Sequence, residues 1–300
     1  MKNTKTSTNS GDRLYKAFVY MALITLAVII IVPVAWVFLA SIKENSELYG
    51  NPWALPAGFY WQNFVNAWNK ANMGGYMISS VIVTALSLGL LLVIALPASY
   101  CLARFKFKGS KVLNTAFMAG LFINVNYIVI PIFLMLLKGN TRLSAMFGQG
   151  NYLLNNLFVL ALVYASTALP FTIYLLSGYF KTLPHDFEEA AYIDGAGYFK
   201  TMIKVIFPMA KPSIITVILF NFLSFWNEYV ISMTLMSDVS EKAVKTLPVG
   251  LLNLMQASQS KAEYGIMYAG LVLVMLPTLI LYMCVQKQLT EGMTVGGLKG

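Results

Sequence analysis

The residue best suited to chemistry in this chain is Glu228, a carboxylate inside a largely apolar run. It follows Trp226 and Asn227 in the segment FWNEY. An ionisable group at membrane depth is costly and usually faces a cavity, a partner or a transport path. Glu228 therefore serves as a proton or cation site, as part of a substrate pathway, or as an interfacial anchor. The role of interfacial anchor remains possible because Glu228 lies about 16 residues, roughly 24 Å, from the start of its run, which places it in the far half of a membrane.

Two other apolar runs carry polar side chains whose types suit a sugar. These are Asn124, Asn126 and Tyr127 in one run, and Tyr164, Ser166 and Thr167 in another. Sugar sites combine hydrogen bonds to hydroxyl groups with contacts to aromatic rings. The alternative is helix packing, because Asn, Ser and Thr also join helices within membranes. The candidate substrate pathway that we carry forward is Asn124, Tyr127, Tyr164, Trp226, Asn227 and Glu228.

Chemistry that would make the chain an enzyme or a self-powered pump is missing. The dipeptide Gly-Lys never occurs, so the sequence contains no P-loop for a nucleotide. The single histidine, His185, excludes a metal site built on a histidine pair and makes a histidine-based triad implausible. We therefore predict no catalytic residue, no metal and no cofactor, and we expect another chain to supply energy.

The elements that position these residues are membrane-spanning helices. The chain is 58% hydrophobic and 11% charged, and its mean hydropathy of +0.68 is too high for a water-soluble domain. Six runs are long enough to cross a bilayer at about 1.5 Å per helical residue. They are Ala17–Ile42, Met77–Ala103, Val112–Leu137, Tyr152–Gly178, Ser213–Met236 and Tyr264–Val285. The prediction is an all-α polytopic membrane protein with six transmembrane helices.

Charge asymmetry predicts the orientation of these spans. Of the 21 lysines and arginines, 14 lie in the segments on one side of the predicted spans, and 7 lie in the segments on the other side. Basic residues favour the cytoplasmic side, so both termini are predicted to be cytoplasmic. The net charge of +9 is a topology signal and does not indicate nucleic-acid binding. Residues 1–12 are predicted to be disordered, and residues 13–300 to form the membrane domain.

A polar interruption, DFEEAAYIDGAGYFKTMIKVIFPMAKP, separates the fourth and fifth runs. Asp186 is a candidate N-cap of a first short helix, with Glu189 placed for a capping box. Phe187, Ala190, Ala191 and Asp194 share one face of that helix. A capping carboxylate would be a sufficient role for Glu189 by itself.

A second short helix follows the break that Gly195 and Gly197 predict. Its residues Tyr198 to Phe207 have helical apolar spacing, and Pro208 and Pro212 are predicted to end it. Two interpretations of the whole loop remain open on physical grounds. The loop either lies on the lipid headgroups as an amphipathic element or docks to another protein.

The motifs of this loop resemble the EAA loop of ABC importer permeases. They are Glu189-Ala190-Ala191, Asp194-Gly195-Ala196 and Ile206-Phe207-Pro208, with Phe207 in place of the usual Leu. Further resemblance to the carbohydrate-uptake branch lies in SYCLARFKFKG, LPFTIYLLSGYFKTLP, FWNEY, TLPVGL and EGMTVGGLKG. The resemblance covers the chain except for the first dozen residues and an insert near residues 139–151.

This resemblance implies a type I ABC importer permease fold and a coupling loop, residues 184–212, that docks to a cytoplasmic ATPase. The implied docking residues are Glu189, Ala190, Ala191, Asp194 and Gly195. The implied partners are a second permease subunit, two ATPase subunits, an extracytoplasmic solute-binding protein, a sugar and membrane lipid. The implied location is the cell membrane of a prokaryote.

Two rival functions remain open at this stage. One is a secondary carrier or channel that uses Glu228 as its ion site, although six spans without an inverted repeat weigh against it. The other keeps the ATP-driven importer but changes its cargo to a polyol or glycerol phosphate.

Overall fold

The structure, a computed structural model, describes residues 10–70, 72–148, 150–238 and 244–297, and the regular elements within these ranges are helices. In chain order they are α1 (Ser10–Ser41), α2 (Asn45–Gly50), α3 (Gln62–Lys70), α4 (Met73–Arg104), α5 (Ser110–Gly120), α6 (Val125–Phe147), α7 (Leu157–Thr182), α8 (Asp186–Ile193), α9 (Tyr198–Thr201), a π-helical turn (Met202–Ile206), α10 (Phe207–Met209), α11 (Lys211–Trp226), α12 (Val230–Leu235), α13 (Leu247–Lys261) and α14 (Tyr264–Gly297). The predicted all-α class is confirmed.

Five helices in the described ranges are long and apolar enough to cross a membrane, namely α1, α4, α6, α7 and α14. A sixth span results if the helical segments Tyr198–Met209 and Lys211–Trp226, which meet at an angle of 77°, are counted as one. The predicted boundaries of the first, second, fourth and sixth runs agree with these helices to within several residues at most ends. The last helix, α14, continues well past the predicted end at Val285.

The third predicted span, Val112–Leu137, is wrong as one continuous helix. Helix α5 ends at Gly120, and α6 begins at Val125. The Asn124 side chain accepts a hydrogen bond from the backbone N–H of Asn126, and this N-cap starts the second helix. Hydropathy does not reveal the break, because residues 121–123 are as apolar as their neighbours.

The fifth predicted span, Ser213–Met236, is also broken. Helix α11 ends at Trp226, and α12 begins at Val230. Between them Asn227 is the C-cap of α11, and its backbone N–H still reaches the carbonyl oxygen of Leu223 at 3.3 Å. Glu228 therefore lies in a helix break.

Residues 10–70 and 254–273 form one compact unit. The buried Lys43 ammonium donates to the carbonyl oxygens of Pro52, at 2.8 Å, and of Ala54. The Asn63 amide donates to the carbonyl oxygens of Ser41 and Lys43 at 3.0 and 2.7 Å. These bonds fold the segment after α1 back onto the end of that helix. Of the segment predicted to be disordered, residues 1–9 lie outside the described ranges, and residues 10–12 belong to α1.

The second unit consists of residues 72–253 and the part of α14 from Val274 onward, within the described ranges. Its core is the pairing of α4 with α7, against which α5 and α11 pack. Leu91 and Ala95 of α4 and Ile173 and Leu176 of α7 are almost fully buried there. Because both candidate sites described below lie in this unit, this core holds them in place.

Candidate functional site

Glu228 is fixed by three hydrogen-bond donors. Its Oε1 atom accepts from the backbone N–H of Ile231 at 2.8 Å, and its Oε2 atom accepts from the N–H of Ser232 at 3.1 Å. The Tyr164 hydroxyl donates to Oε2 at 2.8 Å. The carboxylate thus caps the N-terminus of α12 and links it to α7, which satisfies a charge that would otherwise be costly at this depth.

A cavity of about 270 Å³ lies beside this carboxylate. Its lining residues are Asn124, Val125, Asn126, Tyr164, Thr167, Ala168, Ser224, Phe225, Glu228 and Ile231. The ring of Tyr164 stacks on that of Phe225 with centroids 5.6 Å apart. The cavity forms where the break before α6 meets the break after α11, and each break is capped by a side chain that also lines the cavity. Its amides, carboxylate and stacked rings suit a ligand that carries hydroxyl groups.

Only three of the six candidate pathway residues line this cavity: Asn124, Tyr164 and Glu228. Tyr127 is 82% exposed and is absent from the lining. Trp226 is buried elsewhere, and its indole N–H donates to the carbonyl oxygen of Val274 at 3.3 Å. The Asn227 amide donates to the carbonyl oxygen of Leu223 and also stays outside the lining. Adjacency in FWNEY was a poor guide, because the helix ends within that segment.

Sequence reasoning missed Ser224 and Phe225 at this cavity. Both lie at the end of α11, on the turn that precedes Glu228, and both line the cavity. A signal was available in their spacing, since residues three and four apart on a helix share a face. The helix break hid that relation to Glu228.

The second candidate site is the predicted coupling loop, residues 184–212, whose first helix begins differently from the prediction. His185 occupies the N-cap of α8, and no side-chain capping bond is formed. The predicted capping box of Asp186 and Glu189 is therefore wrong. Both residues lie in the first turn and are exposed, where their negative charge favours the helix dipole.

The second half of the loop also departs from the prediction. The helical segment runs through Pro208 to Met209, so Pro208 does not end it. A π-helical turn at Met202–Ile206 precedes Pro208, and proline at the start of a helical turn lacks only an N–H that needs no partner there. Pro212 lies in the first turn of α11, beyond the 77° bend.

The predicted face of α8 lines a groove of about 420 Å³. Its lining residues are Phe187, Ala190, Ala191, Asp194, Ala196, Lys200, Lys204 and Val205. Of the docking residues predicted here, Ala191 is 7% exposed and lies at the floor, whereas Ala190 and Asp194 are exposed. Glu189 is exposed and does not line the groove.

The tip of the loop presents apolar side chains around Gly195, whose φ angle is +77°. Ile193 is 87% exposed and Phe199 is 78% exposed. Burial, followed by the neighbouring Tyr198 and Glu188, raises the pKa of Tyr192 on the same surface. An exposed apolar tip beside a groove with two lysines is typical of a surface that binds another protein.

A feature that sequence reasoning missed anchors this loop, and we call it the arginine clamp. It consists of Arg104, Glu188, His185 and the carbonyl of Leu183. Arg104 Nε lies 3.1 Å from Glu188 Oε1, and the two side chains are 2% and 9% exposed. Arg104 Nη2 donates to the carbonyl oxygen of Leu183 at 2.8 Å. One guanidinium thus joins the end of α4, the C-cap of α7 and the coupling helix α8.

His185 closes the clamp. Its Nε2 atom lies 3.2 Å from Arg104 Nη1, and its Nδ1 atom lies 3.3 Å from Glu188 Oε2. Because a guanidinium only donates, Nε2 must accept, and the ring proton then sits on Nδ1 and faces the carboxylate. Arg104 Nε and Glu188 Oε1 form a buried charge contact at 3.1 Å without an aligned hydrogen bond between them.

The fold and the two sites define a class: a helical membrane protein with a polar cavity between broken helices and an exposed loop with an apolar tip. The chain belongs to the family described as the binding-protein-dependent transport system inner membrane component, whose model matches residues 7–295. This confirms the resemblance that the motifs indicated, and it disfavours the secondary carrier.

Individual relatives agree with this family. The chain is 35% identical over 287 residues to the diacetylchitobiose uptake system permease protein NgcG of Streptomyces coelicolor, covering 96% of this chain and 90% of the relative. It is 28% identical to the trehalose transport system permease protein SugB of Mycobacterium tuberculosis, over 90% of this chain and 93% of the relative.

A solved structure shares the fold. It is the crystal structure of a bacterial ABC transporter involved in the import of the acidic polysaccharide alginate. The TM-score is 0.76 at 23% identity, and the match covers 93% of this chain and 98% of the solved chain. The predicted ABC importer permease fold is thereby confirmed.

Proposed function

We propose that this chain is the membrane-spanning permease subunit of a sugar importer that separate ATPase subunits drive. It pairs with a second permease subunit, two cytoplasmic ATPases and an extracytoplasmic solute-binding protein. Residues 13–300 form the membrane domain, and the termini and the coupling loop 184–212 face the cytoplasm. The chain itself binds no nucleotide and catalyses no reaction.

The observation that carries this proposal is the surface of the coupling loop. Ile193 and Phe199 are exposed on either side of Gly195, next to the groove lined by Ala190 and Lys200. Exposed apolar side chains on this scale need a partner, because water solvates them poorly. In a binding-protein-dependent transport family, the partner that supplies energy is an ATPase. Glu189, Asp194 and Gly195 complete the proposed docking surface.

A sugar is the cargo that the cavity supports best. Its lining contains one carboxylate and, within the described residues, no lysine, arginine or histidine. A phosphate group would be repelled by Glu228 and would find no cation there, which argues against glycerol phosphate. A neutral polyhydroxyl ligand can instead use the Asn124 amide, the Tyr164 ring and the Glu228 carboxylate.

Co-purification tests the docking surface. The tagged chain is expressed with a candidate ATPase subunit from the same genome and extracted in mild detergent, and retained ATPase is quantified. We expect Ile193→Asp to lose most of the ATPase, since a charge is then buried against an apolar partner. Thr182→Asp, an exposed position at the end of α7, is the matched control and should retain it. Equal retention in both variants would refute the docking surface.

The cargo is tested separately by calorimetry on the associated binding protein. We expect a neutral oligosaccharide to bind and glycerol phosphate to give no heat. Binding of glycerol phosphate without binding of the oligosaccharide would support the rival function, an importer of glycerol phosphate.

A further inference from the structure

The arginine clamp ties the coupling helix to the end of α4 and to the C-cap of α7. Helix α8 has eight residues, which is far too short to be stable by itself. Only Leu183, Pro184 and His185 separate it from the end of α7. Such a helix keeps its orientation only if side chains hold it against the rest of the protein.

Aromatic contacts run beside the clamp, since Tyr100 lies close enough to Glu188 to interact with it. Phe180, Tyr100, Phe105, Tyr198 and Tyr192 form a chain of edge-to-face contacts with centroid distances of 6.1, 5.7, 5.6 and 5.4 Å. This chain runs from α7 and α4 to the coupling loop. A charge pair in such surroundings is strengthened by the low local dielectric, and removal of one partner strands the other.

The geometry of Arg104 cannot be reproduced by another cation. The planar guanidinium contacts Glu188, Leu183 and His185 through three different nitrogens. A lysine ammonium keeps the charge but offers one nitrogen, so it cannot hold all three groups in this arrangement. The clamp is therefore directional at Leu183 and His185, while Glu188 adds charge attraction.

We propose that the Arg104–Glu188 clamp transmits movement of the coupling helix to α4, and that Arg104 is a positioning residue for energy coupling. The inference rests on the proposed function, because it takes the ATPase as the source of movement. Without the clamp, α8 pivots on the short linker after α7 while the ATPase remains bound. ATP hydrolysis then continues, but less of the movement of α8 is transmitted to the membrane helices.

The first test measures uptake and ATP hydrolysis together in the reconstituted complex, with its binding protein and cargo. Arg104→Gln should lower the ratio of sugar transported to ATP hydrolysed by on the order of tenfold, within the range of coupling between sites. Arg104→Lys should give an intermediate ratio. The exchange Arg104→Glu with Glu188→Arg should restore part of it. Lys106→Gln, which removes an exposed charge two residues along, is the control and should leave the ratio unchanged.

These readouts separate the clamp from a general folding role and from the proposed function. A folding defect lowers membrane abundance, uptake and hydrolysis alike and leaves their ratio intact. If Arg104→Gln fails to accumulate, Arg104→Lys and Glu188→Gln carry the same test. Failure of the wild-type complex to use ATP would refute the proposed function, whereas a normal ratio in the Arg104 variants of an ATP-driven complex would refute the clamp.

The second test needs no partner. A spin label at Ile193, which is 87% exposed at the end of α8, reports the motion of that helix in the full chain in nanodiscs after Cys101 and Cys284 are replaced. We expect Glu188→Gln and Arg104→Lys to increase label mobility, and Lys106→Gln to leave it unchanged. Unchanged mobility in the two clamp variants would overturn the proposal.

Discussion

At the scale of single residues, Glu228 makes two kinds of contact, and a substitution of Tyr164 can separate them. Its carboxylate caps α12 through the N–H groups of Ile231 and Ser232, and it receives the Tyr164 hydroxyl at the cavity. The first contact belongs to folding and the second to the candidate pathway. Because both use the same carboxylate, loss of Glu228 alone does not identify its function.

The first prediction concerns Tyr164→Phe, which removes the hydroxyl but keeps the ring stacked on Phe225. We expect normal membrane abundance and a raised KM for uptake, because only the polar wall of the cavity changes. Glu228→Ala should in addition lower stability by about 1 kcal/mol through the lost cap. Uptake kinetics and thermal unfolding of the purified chain check both. An unchanged KM in Tyr164→Phe would remove Tyr164 from the pathway.

A second prediction uses Glu228→Gln, which keeps the shape and one acceptor oxygen while deleting the charge. We expect ATP-dependent uptake to persist in Glu228→Gln with an altered KM, because Glu228 lines a pathway and carries no coupling ion. If Glu228 carries a coupling ion, the wild type instead shows uptake driven by a proton or sodium gradient, and Glu228→Gln loses it. Uptake by the reconstituted complex, with and without a proton or sodium gradient, distinguishes the two.

At the scale of elements, the coupling loop gives a prediction at Gly195. Its φ angle of +77° strains any L side chain except those, such as Asn, that tolerate the left-handed region. A Cβ atom there meets nothing within 4 Å in this chain. The Cβ atom itself is therefore not blocked by this chain, and the cost of a side chain other than Asn within the chain is the backbone strain of this φ angle.

We expect Gly195→Asn to retain most of the binding-protein-stimulated ATP hydrolysis and Gly195→Phe to lose it. Gly197→Ala is the control, because that residue has an ordinary φ of −76° and open space around it. Normal hydrolysis and uptake by Gly195→Phe, at normal abundance, would place the docking surface elsewhere.

Hydropathy located α1, α4, α7 and α14, since long apolar runs carry that information directly. It failed at the breaks before Val125 and after Trp226, because a helix end depends on caps such as Asn124 rather than on mean apolarity. The cavity exists only because the two breaks meet. Its composition was thus only partly predictable, and half of the expected pathway residues lie outside it.

The arginine clamp shows a second limit. Arg104 appeared in sequence as one of several basic residues after a span, and Glu188 as a neighbour of the motif glutamate. Nothing in a single sequence pairs two residues so far apart in the chain. The motif allowed the loop to be recognised from the sequence, whereas the attachment of the loop to α4 is visible only in the folded structure.

At the scale of the whole molecule, the orientation in the membrane remains a prediction from the 14 to 7 charge asymmetry. In a variant without Cys101 and Cys284, cysteines at the exposed positions Asn51 and Asn151 should react with an impermeant thiol reagent from outside, and one at Lys108 should not. The reverse labelling pattern would invert the proposed topology.

The most direct measurement is sugar uptake by proteoliposomes that contain this chain, its partner permease and the ATPase, with the loaded binding protein outside. We predict that uptake requires ATP within the vesicle and the binding protein, and that it continues when proton and sodium gradients are collapsed. Uptake by this chain without an ATPase subunit, driven by an ion gradient and abolished by Glu228→Gln, would contradict the account and establish a secondary carrier.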